Sequence, residues 1–238
     1  MIDEAFILGI VRFVIGIGIL SYASFTDIKT RRAPNILWII MAGTGGILLL
    51  IQYITIGFEN IFYLVFIPIL IALVYVFFQM RMIFGGADAK AIMALAILLP
   101  FWPSLGELPL WKSYLPFSWV IFANAIVLFL FIPLSLLLFN VSKRDVQFPH
   151  SLLGYKMSIE KARQKFVWPL ERIKDGERKF SYMPKQFDIE EELKEFEQAS
   201  ISEIWVTPKI PFMIPLLAGF IASFLVGDLL FQFIQLLF

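Results

Sequence analysis

Apolar residues in this chain run in blocks about as long as a bilayer core, separated by short polar connections. Such blocks occupy Ala5–Phe25, Ile36–Ile56, Ile61–Met80, Pro116–Phe139 and Pro211–Phe238, near the ~20 residues a helix needs to cross the hydrocarbon. A shorter run, Ala89–Phe101, reaches helix length if it begins near Gly86 and shelters its polar start in a protein-lined cavity. The pattern therefore predicts an all-α membrane protein with six transmembrane helices. The only polar stretch of domain-like length is Asn140–Lys209, which holds 13 Lys/Arg and 12 Asp/Glu. Within it, Ser158–Phe166 and Asp188–Ser200 carry helical patterning. Val167–Tyr182 reads as a β-hairpin, because Asp175-Gly176 suits a type I′ turn. The expected division is residues 1–139 for helices one to five, 140–209 for a small soluble α+β insert, and 210–238 for helix six.

Composition sharpens this. Of 238 residues, 59% are hydrophobic and 16% charged, where soluble domains average about 45–50% and 25%. Net charge is +1, so no global bias points to nucleic acid. The chain has no Cys and one His, His150, which excludes disulfides, thiolate chemistry and multi-histidine metal sites. Carboxylates, hydroxyls or Lys must carry any reaction, and no cofactor is implied. The connections after helices one, three and five, insert included, hold 18 Lys/Arg, and the opposite side only Lys112. By the positive-inside rule the N-terminus is outside and residues 140–209 are cytoplasmic. The acidic start, Asp3 and Glu4, argues against a cleaved signal peptide.

Ionisable residues at membrane depth are costly and therefore functional candidates. Four qualify: Arg12, Asp27, Asp88 and Asp228. Asp27 falls at the cytoplasmic end of helix one and Asp88 at the cytoplasmic start of helix four, at similar depth. Read singly, Asp27 is an interfacial anchor and Asp88 an N-cap. Read together, beside Gly85-Gly86, they form a candidate site. Two adjacent carboxylates share a proton, so one can deprotonate water while the other polarises a carbonyl. Gly85 and Gly86 would let a substrate backbone approach closely. The helix macrodipole favours negative charge at Asp88 and disfavours it at Asp27, which makes Asp88 the base and Asp27 the acid. Lys90 is a group that lowers the Asp88 pKa, a substrate or loop contact, or a snorkelling lysine. The run Glu190-Glu191-Glu192 with Glu195 and Glu197 reads first as a solvated helix face, and second as an attractor for a basic peptide. Gly43-Thr44-Gly45-Gly46 lacks the Lys-Ser/Thr of a phosphate loop and suits close helix packing.

Asp27 with Lys29, Arg31 and Pro34-Asn35, together with Gly85-Gly86-Ala87-Asp88-Ala89-Lys90, resembles the two-aspartate signature of type IV prepilin-like peptidases. The missing Cys and the insert before the last span are similar to the archaeal preflagellin peptidases, with their GxGD-type site. The resemblance implies an aspartyl endopeptidase that removes short basic class III signal peptides from preflagellin- or pilin-like precursors in the cell membrane. It names Asp27 and Asp88 as catalytic, and implies partners limited to that precursor and the lipid bilayer. Ala87 replaces the second motif glycine, a departure that matters if the position requires a positive φ. Two other readings use the same aspartates: a presenilin-like intramembrane protease, and a proton- or cation-coupled carrier.

Overall fold

The computed structural model describes residues 3–58, 60–80, 85–174, 176–182 and 189–237. In chain order its helices are α1 (Glu4–Thr30), α2 (Ile36–Thr55), α3 (Phe66–Gln79, behind a 3-10 turn at Ile61–Val65), α4 (Gly86–Leu98), α5 (Phe117–Phe129), α6 (Phe131–Ser142), α7 (His150–Leu153), α8 (Ile159–Gln164), α9 (Glu190–Gln198), α10 (Met213–Leu225) and α11 (Leu229–Leu237). Five strands are interleaved with the later helices: β1 (Tyr155–Ser158), β2 (Val167–Pro169), β3 (Glu171–Lys174), β4 (Glu177–Phe180) and β5 (Glu203–Pro208). The chain forms two units, Met1–Phe129 with Pro211–Phe238, and Leu130–Ile210.

Four helical stretches among the described residues are long and apolar enough to cross a membrane: Glu4–Thr30, Ile36–Thr55, Ile61–Gln79 and Phe117–Ser142. Two expected spans are shorter. α4 begins at Gly86, as the pattern predicts, but ends at Leu98, ahead of Pro100, which cannot continue a helix. Its 13 residues extend only about 20 Å. The run Pro211–Phe238 is not one helix. It breaks at Gly227, whose φ of 99° belongs to a region that favours glycine, and divides into α10 and α11.

That break frees backbone groups in an apolar setting, where each orphan costs about 1–3 kcal/mol. All of those described here find partners. Asn124 of α5, fully buried, donates through Nδ2 to Gly227 O at 2.7 Å and Ser223 Oγ at 2.8 Å, and its Oδ1 accepts from Leu229 N at 3.1 Å. Trp111 brackets the break, donating to Val226 O at 2.9 Å and accepting from Asp228 N at 3.1 Å. Asp228 accepts from Phe231 N at 2.9 Å, so this buried acid is the N-cap of α11. Asn124→Leu keeps the bulk and removes three hydrogen bonds. Thermal unfolding in detergent is expected to show a loss of about 3 kcal/mol or more, against little change for a lipid-facing control such as Leu138→Ala.

The first unit packs around α4, which contacts α2, α3 and α5 and buries Ala89, Ala91, Ile92, Ala94, Leu95, Ala96 and Leu98. A helix apolar all round belongs in the middle of a bundle. Its small residues let neighbours close in: a Cβ on Gly45 of α2 would lie 2.7 Å from Leu98 Cα, whereas Gly43 and Gly46 face open space, so of the glycine cluster Gly45 alone serves this packing. Arg12, 5% exposed, donates Nη1 to Gln52 Oε1 of α2 at 2.8 Å.

In the second unit β5 is the centre of an antiparallel sheet ordered β1-β5-β2, with Tyr155 opposite Val206 and Val167 opposite Pro208. β3 and β4 pair as a hairpin with Lys174 opposite Glu177 and Gly176 at φ 79°. Asp175, the other expected turn residue, lies outside the described residues. The expected hairpin is present but shorter than Val167–Tyr182: β3 and β4 form it, and its first residues, Val167–Pro169, form β2, which pairs with β5 in the other sheet. α8 and α9 fall inside the two predicted helical stretches. Arg163 joins them, with Nη1 and Nη2 donating to Glu197 at 2.7 and 2.8 Å and Nε to Glu190 at 3.2 Å; this holds the Glu197 carboxyl below its usual range. Glu192 pairs with Arg172 at 3.4 Å, so part of the acidic run is engaged in packing.

His150 is 6% exposed, held edge-on to the Phe180 ring and tilted against Trp205, with Nε2 3.7 Å from Glu171 Oε1. Burial holds its imidazole below the usual pKa, against the pull of Glu171. Because the folded value is depressed, stability is full above about 6.5 and is lost as pH falls through the folded value. The unfolded chain then takes up a proton that the folded chain refuses. Thermal unfolding at pH 7.5 and pH 5 should show a drop in the native protein that His150→Gln reduces.

Candidate active site

Asp27 sits in the last turn of α1, where Arg31 N donates to Asp27 O at 2.9 Å and Arg31 ends the helix at φ 55°. The short link to α2 contains Pro34. Around Asp27, Ser24 Oγ donates to Met213 O at 3.1 Å, joining the ends of α1 and α10. Lys29 is turned over the Phe25 ring at 4.3 Å.

Asp88 sits at the opposite kind of helix end. Gly85, extended at φ −91° and ψ 113°, is the N-cap of α4, which makes Asp88 the third residue of its first turn. Side chains in a helix lean toward its N-terminus, and an acid at this position folds back over the cap. A Cβ on Gly85 would fall inside the van der Waals envelope of Asp88 Oδ2 and 2.8 Å from its Cγ. A Cβ on Gly86 would meet only the Phe78 ring, at 3.7 Å. The two glycines thus differ: Gly85 is the floor under the carboxylate, and Gly86 is not. Ala87 lies inside α4 and is not among the positive-φ residues, so an alanine there leaves the backbone unstrained. Residues 81–84, which precede the glycines, lie outside the described residues.

α1, α2 and α4 pack on one another, and Asp27 lies close enough to Asp88 for its charge to act on it. Both residues are half-buried. Lys90, two residues beyond Asp88, projects elsewhere, since i and i+2 do not share a helix face. It donates to Asn35 Oδ1 at 2.9 Å. Arg12 and Asp228 belong to other parts of the unit. Ser24 is the addition the structure makes here, and Asn35, already part of the motif, gains its bond to Lys90; nothing in their spacing signals either bond. Among the described residues no group of three or more His, Asp or Glu is placed to hold a metal ion.

Residues 14–139 match the type IV leader peptidase family. The chain belongs to that family. Residues 147–229 of this leader peptidase family member match the archaeal peptidase A24 C-terminus, type II. It is similar to the preflagellin peptidases of Methanococcus maripaludis, Methanococcus voltae and Methanocaldococcus jannaschii, at 28%, 27% and 26% identity. These alignments cover 94%, 92% and 92% of this chain and 98%, 96% and 94% of theirs. The first matched segment contains Asp27, Gly85, Gly86, Asp88 and Lys90. Family membership and the four apolar helical stretches make the protein a multi-pass membrane peptidase.

Proposed function

We propose that this protein is a membrane-embedded aspartyl endopeptidase that removes the short basic class III signal peptide from preflagellin- or pilin-like precursors. Asp27 and Asp88 divide the chemistry: one carboxylate takes a proton from water while the other, protonated, donates to the scissile carbonyl. The dipole of α4 favours the ionised form at Asp88 and that of α1 disfavours it at Asp27, so Asp88 is the base. Six spans, with α4 and α10 as the short ones, set the N-terminus outside and the aspartates and residues 140–209 on the cytoplasmic side. The single observation that carries this reading is the pairing itself. Two half-buried aspartates from distant parts of the sequence lie within electrostatic range, one of them seated on a glycine floor. The similar preflagellin peptidases supply the substrate class.

The test is incubation of the purified protein in lipid with a preflagellin-like precursor, with the products read by mass. The expected cut falls between the basic leader and the apolar run. A cut inside the apolar helix would favour a presenilin-like protease, and an uncut precursor would remove the reading.

A further inference from the structure

We propose that Lys90 and Asn35 form a positioning pair that holds the two aspartate-bearing helix ends in register. Asn is a favoured N-cap residue because its side chain accepts from the first free N–H groups of a helix. Asn35 occupies the N-cap position of α2, yet its side chain makes no capping bond, and its backbone is already helical at φ −61° and ψ −26°. Its Oδ1 accepts from Lys90 Nζ instead, at 2.9 Å. Lys90 is in the same helical turn as Asp88, and Asn35 begins α2 just after the link from the end of α1 that carries Asp27. The bond therefore ties the start of α4 to the segment that sets where α1 ends. Ser24, on the other side of Asp27, secures α1 to Met213 O of α10, so rotation about α1 and slippage of α2 along α4 are opposed separately. Lys90 faces away from Asp88, so it acts through Asn35 and not by its charge on the carboxylate.

The inference rests on the peptidase reading for its consequence and not for its test. The chain has no cysteine, so Asp27→Cys with Asp88→Cys gives a background-free pair for a short thiol crosslinker in native lipid. In that background, Lys90→Asn and Asn35→Lys should each slow crosslinking by about two- to fivefold, the ratio an exposed pair can sustain. Combining them, which exchanges donor and acceptor across the same gap, should restore the native rate. With the aspartates intact, precursor processing should follow the same order, and the exchanged protein should keep the native pH profile.

Three results would overturn the proposal: crosslinking unchanged in both single variants, no restoration in the exchanged protein, or a shifted pH profile, which would show that Lys90 acts by its charge. Absence of crosslinking in every background would place residues 27 and 88 apart and remove both this pair and the shared site. An uncut precursor with crosslinking as expected would remove the peptidase reading and leave the positioning pair standing.

Discussion

Asp27→Asn and Asp88→Asn should each reduce precursor processing by about 10²–10⁴-fold, the span attributable to one general acid or base. The measurement is the single-turnover rate of leader removal in lipid vesicles, with insertion checked by protease protection of the connecting loops. Asn preserves shape and hydrogen bonding, so a loss would reflect the proton and not packing. The double variant should be scarcely worse than either single one, because groups that act as a unit are non-additive. Multiplicative losses would mean that the two carboxylates work in separate steps. A variant that processes at the native rate would remove that residue from catalysis.

Gly85→Ala should be nearly as damaging, and Gly86→Ala should not. A methyl group at residue 85 would overlap the Asp88 carboxylate, which must then swing away from the cap. Misplacing a reacting group by about 1 Å can lower a rate about 10²-fold. At residue 86 the methyl meets only the edge of Phe78 at ordinary contact distance. It also gains helix propensity of about 0.5–1 kcal/mol over glycine, so the fold should be slightly stabilised and processing kept within a few-fold. Comparing the two initial rates decides the matter. Equal losses would show that the motif needs two flexible residues and not one floor.

The same locality explains why Ala87 leaves the backbone unstrained. As a motif, the second glycine suggests backbone freedom. In the structure its position is an ordinary helical one inside the first turn of α4, where alanine is the better helix former. The requirement lies two residues earlier, at Gly85. It comes from the carboxylate leaning back over the cap, a contact between side chain and backbone that no spacing rule reports.

Much was legible before any coordinates. The apolar blocks of helices one, two and three, the helical start at Gly86, the two short helices of the polar segment and the candidate aspartates all follow from one-dimensional signals. Those signals are hydropathy over about 20 residues, helix-end preferences, and the cost of charge in lipid. Three things were not legible. The division of the last apolar run at Gly227 depends on Asn124, about a hundred residues away, meeting the carbonyl and N–H groups that the break exposes. The pairing of β2 outside the hairpin depends on β5, which is central because β1 and β2 both pair with it. The Lys90–Asn35 bond joins residues 55 apart. Local sequence determined which segments are helices, which can enter lipid and which acids are anomalous, because propensity and transfer energy act residue by residue. Tertiary structure alone decided where those helices stop and what each buried polar group meets, because a hydrogen-bonding group away from water takes whatever partner the packing brings to it.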